Sequence, residues 1–166
     1  MPNKVYQHDE TTLVWTSSGG DYALTATSLA TVTGRQGAMA DLGSAARARR
    51  YAWRAYVKFS TTPVVGEVVY VYLKTGSGAT AGARPDNDDG TGDIAVSSID
   101  KLKNLQLIGP IIVDEAATGV EMVASGEIWL PHRWVAPVLW NATVDTLSAT
   151  GTDIGFELTP IPDEIQ

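Results

Sequence analysis

The segment Tyr51-Ala-Trp-Arg-Ala-Tyr-Val-Lys-Phe-Ser60 decides the fold class of this chain. Its alternate positions form an apolar and aromatic row that comprises Tyr51, Trp53, Ala55, Val57 and Phe59. The other row carries the charged residues Arg54 and Lys58. A period of two predicts a β-strand with one buried and one solvated or partly covered face, which is typical of antiparallel sheets.

Several further segments have strand-forming composition. Residues 66–74 are rich in Val and Tyr on both faces, which predicts a strand that is buried on both sides. Pro110 and Pro137 fall inside two of the other segments, and since proline cannot donate to a sheet ladder, these strands should bend, bulge or lie at an edge. The other predicted strands span residues 12–15, 22–28, 105–113, 120–124, 127–130, 134–140 and 154–158.

Helix is predicted only in two short stretches, residues 44–49 and residues 97–103, each of one or two turns. We therefore expect an all-β chain folded as an antiparallel β-sandwich, with a jelly roll favoured over an immunoglobulin-like topology. Residues 31–160 should form the sandwich. Residues 1–30 should form an extended N-terminal segment or the first strands, and residues 161–166 a C-terminal tail.

Composition places the 166 residues among ordinary globular proteins, with 44% hydrophobic and 19% charged residues. A chain of this length buries about 70% of its unfolded surface without help from a metal or disulfide. There is no cysteine, which excludes disulfides and thiolate zinc sites, and a reducing cytoplasm is the simplest folding compartment. We predict no signal peptide and no membrane segment.

Charge is unevenly distributed along the chain. The net charge of -7 argues against nucleic acid as a partner. Arg47, Arg49 and Arg50 nevertheless form a basic cluster just before the segment quoted above. Two interpretations are open: a solvated or internally paired loop, or an interface in which arginine forks bind carboxylates of a neighbouring subunit.

No catalytic constellation is recognisable, and we predict that the chain is not an enzyme and has no cofactor. Only His8 and His132 are available as histidine bases, and no nucleophile elbow is present. The loop between Asp86 and Asp93 offers oxygen ligands for calcium, although an acidic loop is more often a solvated turn. Carboxylate pairs for glycoside hydrolysis stay open, with no pair selected, among Glu67, Glu121, Glu127 and Glu157.

Trp129, Trp134 and Trp140 lie within twelve residues of one another. Core packing is the favoured interpretation, and stacking on sugars is the alternative. Exposure of all three on one open face would favour a sugar-binding module, whereas burial of all three with an apolar patch elsewhere would favour an assembly module.

An ordered set of short landmarks gives the chain a resemblance over residues 30–160. They are Thr33-Gly-Arg-Gln-Gly37, Asp41-Leu-Gly43, Phe59-Ser-Thr-Thr-Pro-Val-Val-Gly66, Gly90-Thr-Gly-Asp93, Asn104-Leu-Gln-Leu-Ile-Gly109, Trp129-Leu-Pro-His-Arg133, Trp140-Asn141 and Ser148-Ala-Thr-Gly-Thr-Asp153. In this order they resemble tailed-bacteriophage virion structural proteins of the capsid decoration or cement type.

The resemblance implies a jelly-roll-like module that binds a preformed shell as an oligomer and has no catalytic residues to transfer. The expected partners are the major capsid protein or another virion protein, and further copies of the chain in a trimer or dimer. The expected location is the virion, after assembly in the bacterial host cytoplasm. The alternatives are a carbohydrate-binding module and a tail or fibre-base component at the phage surface.

Overall fold

The computed structural model describes residues 5–7, 10–44 and 47–165. Within these ranges the chain forms thirteen strands and one short 3₁₀ helix at Ile99–Leu102. The strands are β1 (Val5–Gln7), β2 (Leu13–Thr16), β3 (Tyr22–Ala23), β4 (Thr33–Gln36), β5 (Ala40–Asp41), β6 (Arg50–Val57), β7 (Val68–Gly76), β8 (Ile94–Ala95), β9 (Gln106–Ile112), β10 (Met122–Trp129), β11 (Trp134–Asn141), β12 (Gly155–Pro160) and β13 (Asp163–Ile165).

Two sheets pack face to face. The first has five strands in the order β10-β6-β12-β2-β3, and the second runs β8-β4-β11-β7-β9, with β5 also paired to β11. All pairs are antiparallel except β2 with β3. The predicted all-β sandwich is therefore confirmed, whereas the preference for a jelly roll stays a prediction. Near the chain ends, β1 pairs with β13.

An aromatic row crosses the inner face of the five-stranded sheet. Trp53 on β6 stacks on Phe156 of β12, with ring centroids 6.4 Å apart. Phe156 meets Trp15 of β2 edge to face at 5.7 Å, and Trp15 stacks on Tyr22 of β3 at 5.0 Å. Because each ring comes from the next strand of the sheet, the row ties four strands together.

The indole of Trp53 requires glycine on two neighbouring strands. A Cβ on Gly126 of β10 would lie 3.0 Å from Trp53 Nε1, and a Cβ on Gly109 of β9 would lie 3.1 Å from Cη2. These distances are shorter than most Cβ contacts in proteins, so the two glycines let β9 and β10 close over the indole. The edge strands of the two sheets are thereby brought close together, without pairing to each other.

The six-stranded sheet is covered on both faces. Its outer face packs against the 3₁₀ helix and the segment before it, through Trp140, Val138 and Leu102. Farther along this face Lys74 is fully buried, with Nζ donating to Gln36 Oε1 at 3.1 Å and to the Gly90 carbonyl. The long glycine-rich connection after β7 therefore packs on the six-stranded sheet of the same chain.

The structure changes several predicted boundaries. The two strands expected at 120–124 and 127–130 are a single strand, β10, since Ser125 and Gly126 continue the pairing with β6. The sequence analysis placed no strand at β1, β4, β5, β8 or β13, and the strand expected at 22–28 is limited to β3 at Tyr22–Ala23. The strand that contains Pro110 is an edge strand with a bulge at Ile108, as expected. Pro137 lies in the central strand β11, which pairs regularly with β7, at the point where its partner on the other side changes from β4 to β5.

The predicted burial of residues 66–74 on both faces holds for the C-terminal half of β7, while Tyr70 and Tyr72 are half-buried. The helix expected at 97–103 is reduced to the 3₁₀ turn. Residues 45 and 46 of the other helix candidate lie outside the described residues. Along the described part of the chain, no helix has the length and apolar character that a membrane crossing requires.

Truncating the centre of the aromatic row should be strongly destabilising. Phe156 is fully buried between Trp15 and Trp53, so Phe156→Ala should lower the free energy of unfolding by about 3–5 kcal/mol. Val144→Ala, at a side chain that is 67% exposed, should change it by less than about 0.5 kcal/mol. Guanidinium unfolding followed by circular dichroism measures both, and a loss below about 1 kcal/mol for Phe156→Ala would contradict the role of the row.

Candidate functional site

Arg47 clamps the turn between β10 and β11. Its guanidinium donates to the carbonyl oxygens of Leu130 at 3.2 Å and Pro131 at 3.1 Å, and also to that of His132. It donates further to its neighbour Ala48 at 3.0 Å. These acceptors are neutral, so Arg47 holds the turn while keeping its full positive charge near the surface.

The other two arginines of the basic cluster differ from Arg47. Arg49 is exposed and donates from one terminal nitrogen to the Pro131 carbonyl at 2.6 Å. Arg50, the first residue of β6, has its Nε 3.7 Å from Glu127 Oε2 on β10. The cluster is thus divided: Arg47 and Arg49 contact the β10–β11 turn, and Arg50 faces a carboxylate on the neighbouring strand.

A further arginine, Arg133, joins Arg47 and Arg49. Its guanidinium is paired with the carboxylate of Asp41, with Nε 2.6 Å from Oδ1 and a terminal nitrogen 2.5 Å from Oδ2. The hydrogen bond from Arg133 lowers the pKa of Asp41, as do the Gly43 amide and the charge of Arg47, although burial opposes them. We call Arg47, Arg49 and Arg133 the arginine face.

Two depressions meet at the arginine face. The smaller, of about 350 Å3, is lined by all three arginines together with His132, Ser44 and Ser77. The larger is an open groove of about 980 Å3 whose lining is mixed: it includes the apolar side chains of Leu13, Trp129 and Ile161 and the carboxylates of Glu10 and Asp41. Arg47 and Arg49 line both depressions, and Arg50 lines only the groove. Cationic and apolar surface are therefore continuous here.

Strand pairing explains why these residues meet. In the register of β6 and β10, Arg50 lies opposite Trp129, so residues just before β6 face residues just after β10. The Leu130 amide donates to the Arg49 carbonyl at 2.8 Å and continues that ladder. The sequence analysis missed Arg133 as a site residue because this pairing was not known. The signal was present in Leu130-Pro-His-Arg133, which directly follows the strand.

The three clustered tryptophans do not share a face. Trp140 is buried in the outer layer of the six-stranded sheet, where core packing was expected. Trp134 is half-buried, with its indole nitrogen donating to the Gly78 carbonyl at 3.2 Å and the Arg133 guanidinium over its ring. Trp129 is 63% exposed on the other sheet, so for this residue the expected burial is wrong. A three-ring platform for sugars is not formed.

The acidic loop from Asp86 to Asp93 binds groups of the protein itself. Asp86 accepts from the backbone amide and hydroxyl of Thr75, at 2.5 and 2.9 Å. Asp88 pairs with Lys101, and Asp93 Oδ1 lies 2.6 Å from Arg35 Nε. Across the described ranges, no group of three or more acidic or histidine side chains is arranged to hold a metal ion.

The described histidine and the four candidate glutamates contact other groups of the protein, and two of the glutamates share one partner. His8 lies outside the described residues, and Nδ1 of His132 is 2.6 Å from Thr75 Oγ1. Glu121 and Glu157 both pair with Arg54. Glu67 accepts the Val144 amide at 3.1 Å, and Glu127 faces Arg50 as described above. Each described glutamate of the set is thus engaged with a donor or cation of the protein.

Comparisons of the chain with protein-family models, with curated proteins and with solved structures found no match.

Truncation should cost much more stability at Arg47 than at Arg49. Arg47→Ala leaves several turn carbonyls without their charged donor, and we expect it to lower the free energy of unfolding by about 2 kcal/mol or more. Arg49→Ala removes one contact of an exposed side chain and should change stability by less than about 0.5 kcal/mol. Urea unfolding of both variants measures this difference, and equal losses would show that Arg47 does not clamp the turn.

Asp93 should contribute to stability in a pH-dependent way. Burial raises the pKa of Asp93, but hydrogen bonds from Arg35 and Thr25 outweigh it, and the net pKa is lowered. A lowered carboxyl pKa stabilises the fold above the unfolded value of about 3.9, and this contribution is lost as pH falls through the folded value. Asp93→Asn should therefore lose less stability than wild type between about pH 5 and pH 2.5. Unfolding curves that fall in parallel would contradict this role.

Proposed function

We propose that this chain is a structural protein of tailed-bacteriophage virions, of the capsid decoration type, and that it binds the shell through its arginine face. The ordered landmarks described above support the class of protein. The assignment of the docking surface rests on one observation: the exposed guanidinium of Arg49 lies next to Arg47 on a chain of net charge -7.

The arginine face holds two of the four described cations that have no carboxylate of the same chain within ion-pair distance; the other two are Arg84 and the buried Lys74. Arg35, Arg54, Lys58, Lys101, Lys103 and Arg133 each have a carboxylate of the same chain within ion-pair distance. Among the described residues, Arg47 and Arg49 have no such carboxylate, and their hydrogen bonds go to carbonyl and hydroxyl oxygens. Arg49 makes one hydrogen bond and can bind an external carboxylate with two parallel hydrogen bonds. Both terminal nitrogens of Arg47 already donate to the turn, so Arg47 contributes its positive charge to the surface.

The adjacent groove adds apolar contact area. Trp129 is 63% exposed at its wall, and large exposed aromatic side chains next to arginine are typical of the energetic centres of protein interfaces. An acidic side chain of a capsid subunit would match the smaller depression, which is lined by three arginines, and a neighbouring apolar side chain would match the Trp129 wall of the groove. Opposite charge on the shell would also steer the first encounter.

The alternative of a carbohydrate-binding module has weaker support. Trp129 is the exposed member of the tryptophan cluster, and Trp134 and Trp140 lie on the other sheet. A single exposed ring beside arginines fits a protein interface better than it fits a sugar platform.

Decoration of phage heads tests the proposal. Heads of the phage that encodes the chain, stripped of this protein, should bind it, and the affinity should fall as salt rises. Arg49→Glu should weaken binding by about tenfold or more, equivalent to about 1.4 kcal/mol, because it reverses a charge that faces the shell. Arg84→Glu is the matched control, since Arg84 is also exposed but lines neither depression.

The outcomes separate the two parts of the proposal. No binding of the wild-type chain to heads, tails or fibre bases would contradict the virion role. Binding that Arg49→Glu and Arg84→Glu weaken equally would leave the virion role in place and overturn the arginine face as the docking surface.

A further inference from the structure

The outer edge of the five-stranded sheet is an uncapped strand. β10 pairs with β6 along all eight residues, and no described strand pairs with its other side. It contains no proline. The neighbouring edge of the other sheet, β9, is blunted by Pro110 and by its bulge. An edge strand with free amides and carbonyls is a template for pairing with another chain, so β10 is the more open of the two edges.

The outward side chains of β10 form a row with apolar ends. Met122 and Ile128 point into the core, and the row on the other face is Val123, Ser125, Glu127 and Trp129. Val123 is 45% exposed and Trp129 is 63% exposed. Natural edge strands are usually protected by charge, proline or a bulge, whereas this strand has one outward carboxylate between two apolar side chains.

We propose that a second copy of this chain adds to this edge, with the two β10 strands antiparallel about a two-fold axis at Gly126. In this register Val123 lies opposite Trp129 of the second copy. Ser125 then lies opposite Glu127 of the second copy, where its hydroxyl can donate to the carboxylate. The two sheets become one continuous ten-stranded sheet across the dimer.

Complementarity of the side chains selects this register. In an antiparallel pair, side chains that lie opposite each other point to the same face of the sheet. Two copies of one strand related by a two-fold axis meet this condition only when the axis passes beside a residue that lies opposite its own copy. An axis at Ser125 places the apolar Val123 opposite a glutamate, and an axis at Glu127 places two glutamates directly opposite each other, which is destabilising. The axis at Gly126 instead pairs an aromatic with a β-branched side chain, a favourable cross-strand pair, at both ends of the interface.

The absence of native cysteine allows a clean test of this register. In the double variant Val123→Cys with Trp129→Cys, each cysteine would face its complement on the second copy, so mild oxidation should yield a covalent dimer. Within one chain the two positions are six residues apart on an extended strand, about 20 Å, which is too far for a disulfide. The two single variants are the matched controls and should stay monomeric on a non-reducing gel.

Sedimentation of the cysteine-free protein completes the test without cross-linking. Wild type should dimerise with rising concentration, Trp129→Lys should weaken the dimer at least about tenfold, and Val144→Lys should leave it unchanged. A wild-type monomer at several hundred micromolar would overturn the proposal, as would efficient cross-linking of Ser125→Cys alone, which requires an axis at Ser125. These measurements use the free protein and do not depend on the virion role.

Discussion

The contact between Trp53 and its neighbours is the constraint on which the rest of the structure depends. The indole stacks on Phe156 within its own sheet and is covered by Gly126 and Gly109 at the edge. It therefore links both sheets on the side where β9 and β10 meet. Through Phe156 and Trp15 the same packing extends across β12 and β2 to β3, so one row of rings connects four strands of the sheet.

The arrangement of the two sheets determines where the buried polar side chains are needed. Because the five-stranded sheet covers one face of the six-stranded sheet, the other face needs its own cover, and the long connection after β7 supplies it. Lys74, Gln36 and Arg35 anchor that connection by donating to carbonyl oxygens and to Asp93. The acidic residues of the loop are used to hold the fold together. Arg47 and Arg49, two of the described cations that have no carboxylate of the same chain within ion-pair distance, lie just before β6, where the arginine face forms.

The sequence predicted those strands whose residues alternate between apolar and polar. The alternation in residues 51–60 identified β6, and the period, the length and the turn residues together led to a sandwich. The strand β4 was missed because Thr33-Gly-Arg-Gln36 is polar, and Gln36 is buried only because the loop after β7 folds over it. Trp129 was expected to be buried because it is a large aromatic residue in a strand. Its exposure results from its position on an edge strand, which the local sequence does not indicate. Arg133 lies in the site because β6 and β10 pair in a particular register, and local sequence patterns do not specify that register.

The central claim is that stability is concentrated in the aromatic row, and that the arginine face and the β10 edge lie on its periphery, where contacts can change without loss of the fold. Native-state hydrogen exchange measures this directly. The account predicts that amides of β6 and β12 exchange slowest, at the free energy of global unfolding, and that those of the loop 86–93 and of the turn 130–133 exchange through smaller local openings. Exchange of the β6 and β12 amides ahead of those loops would contradict it.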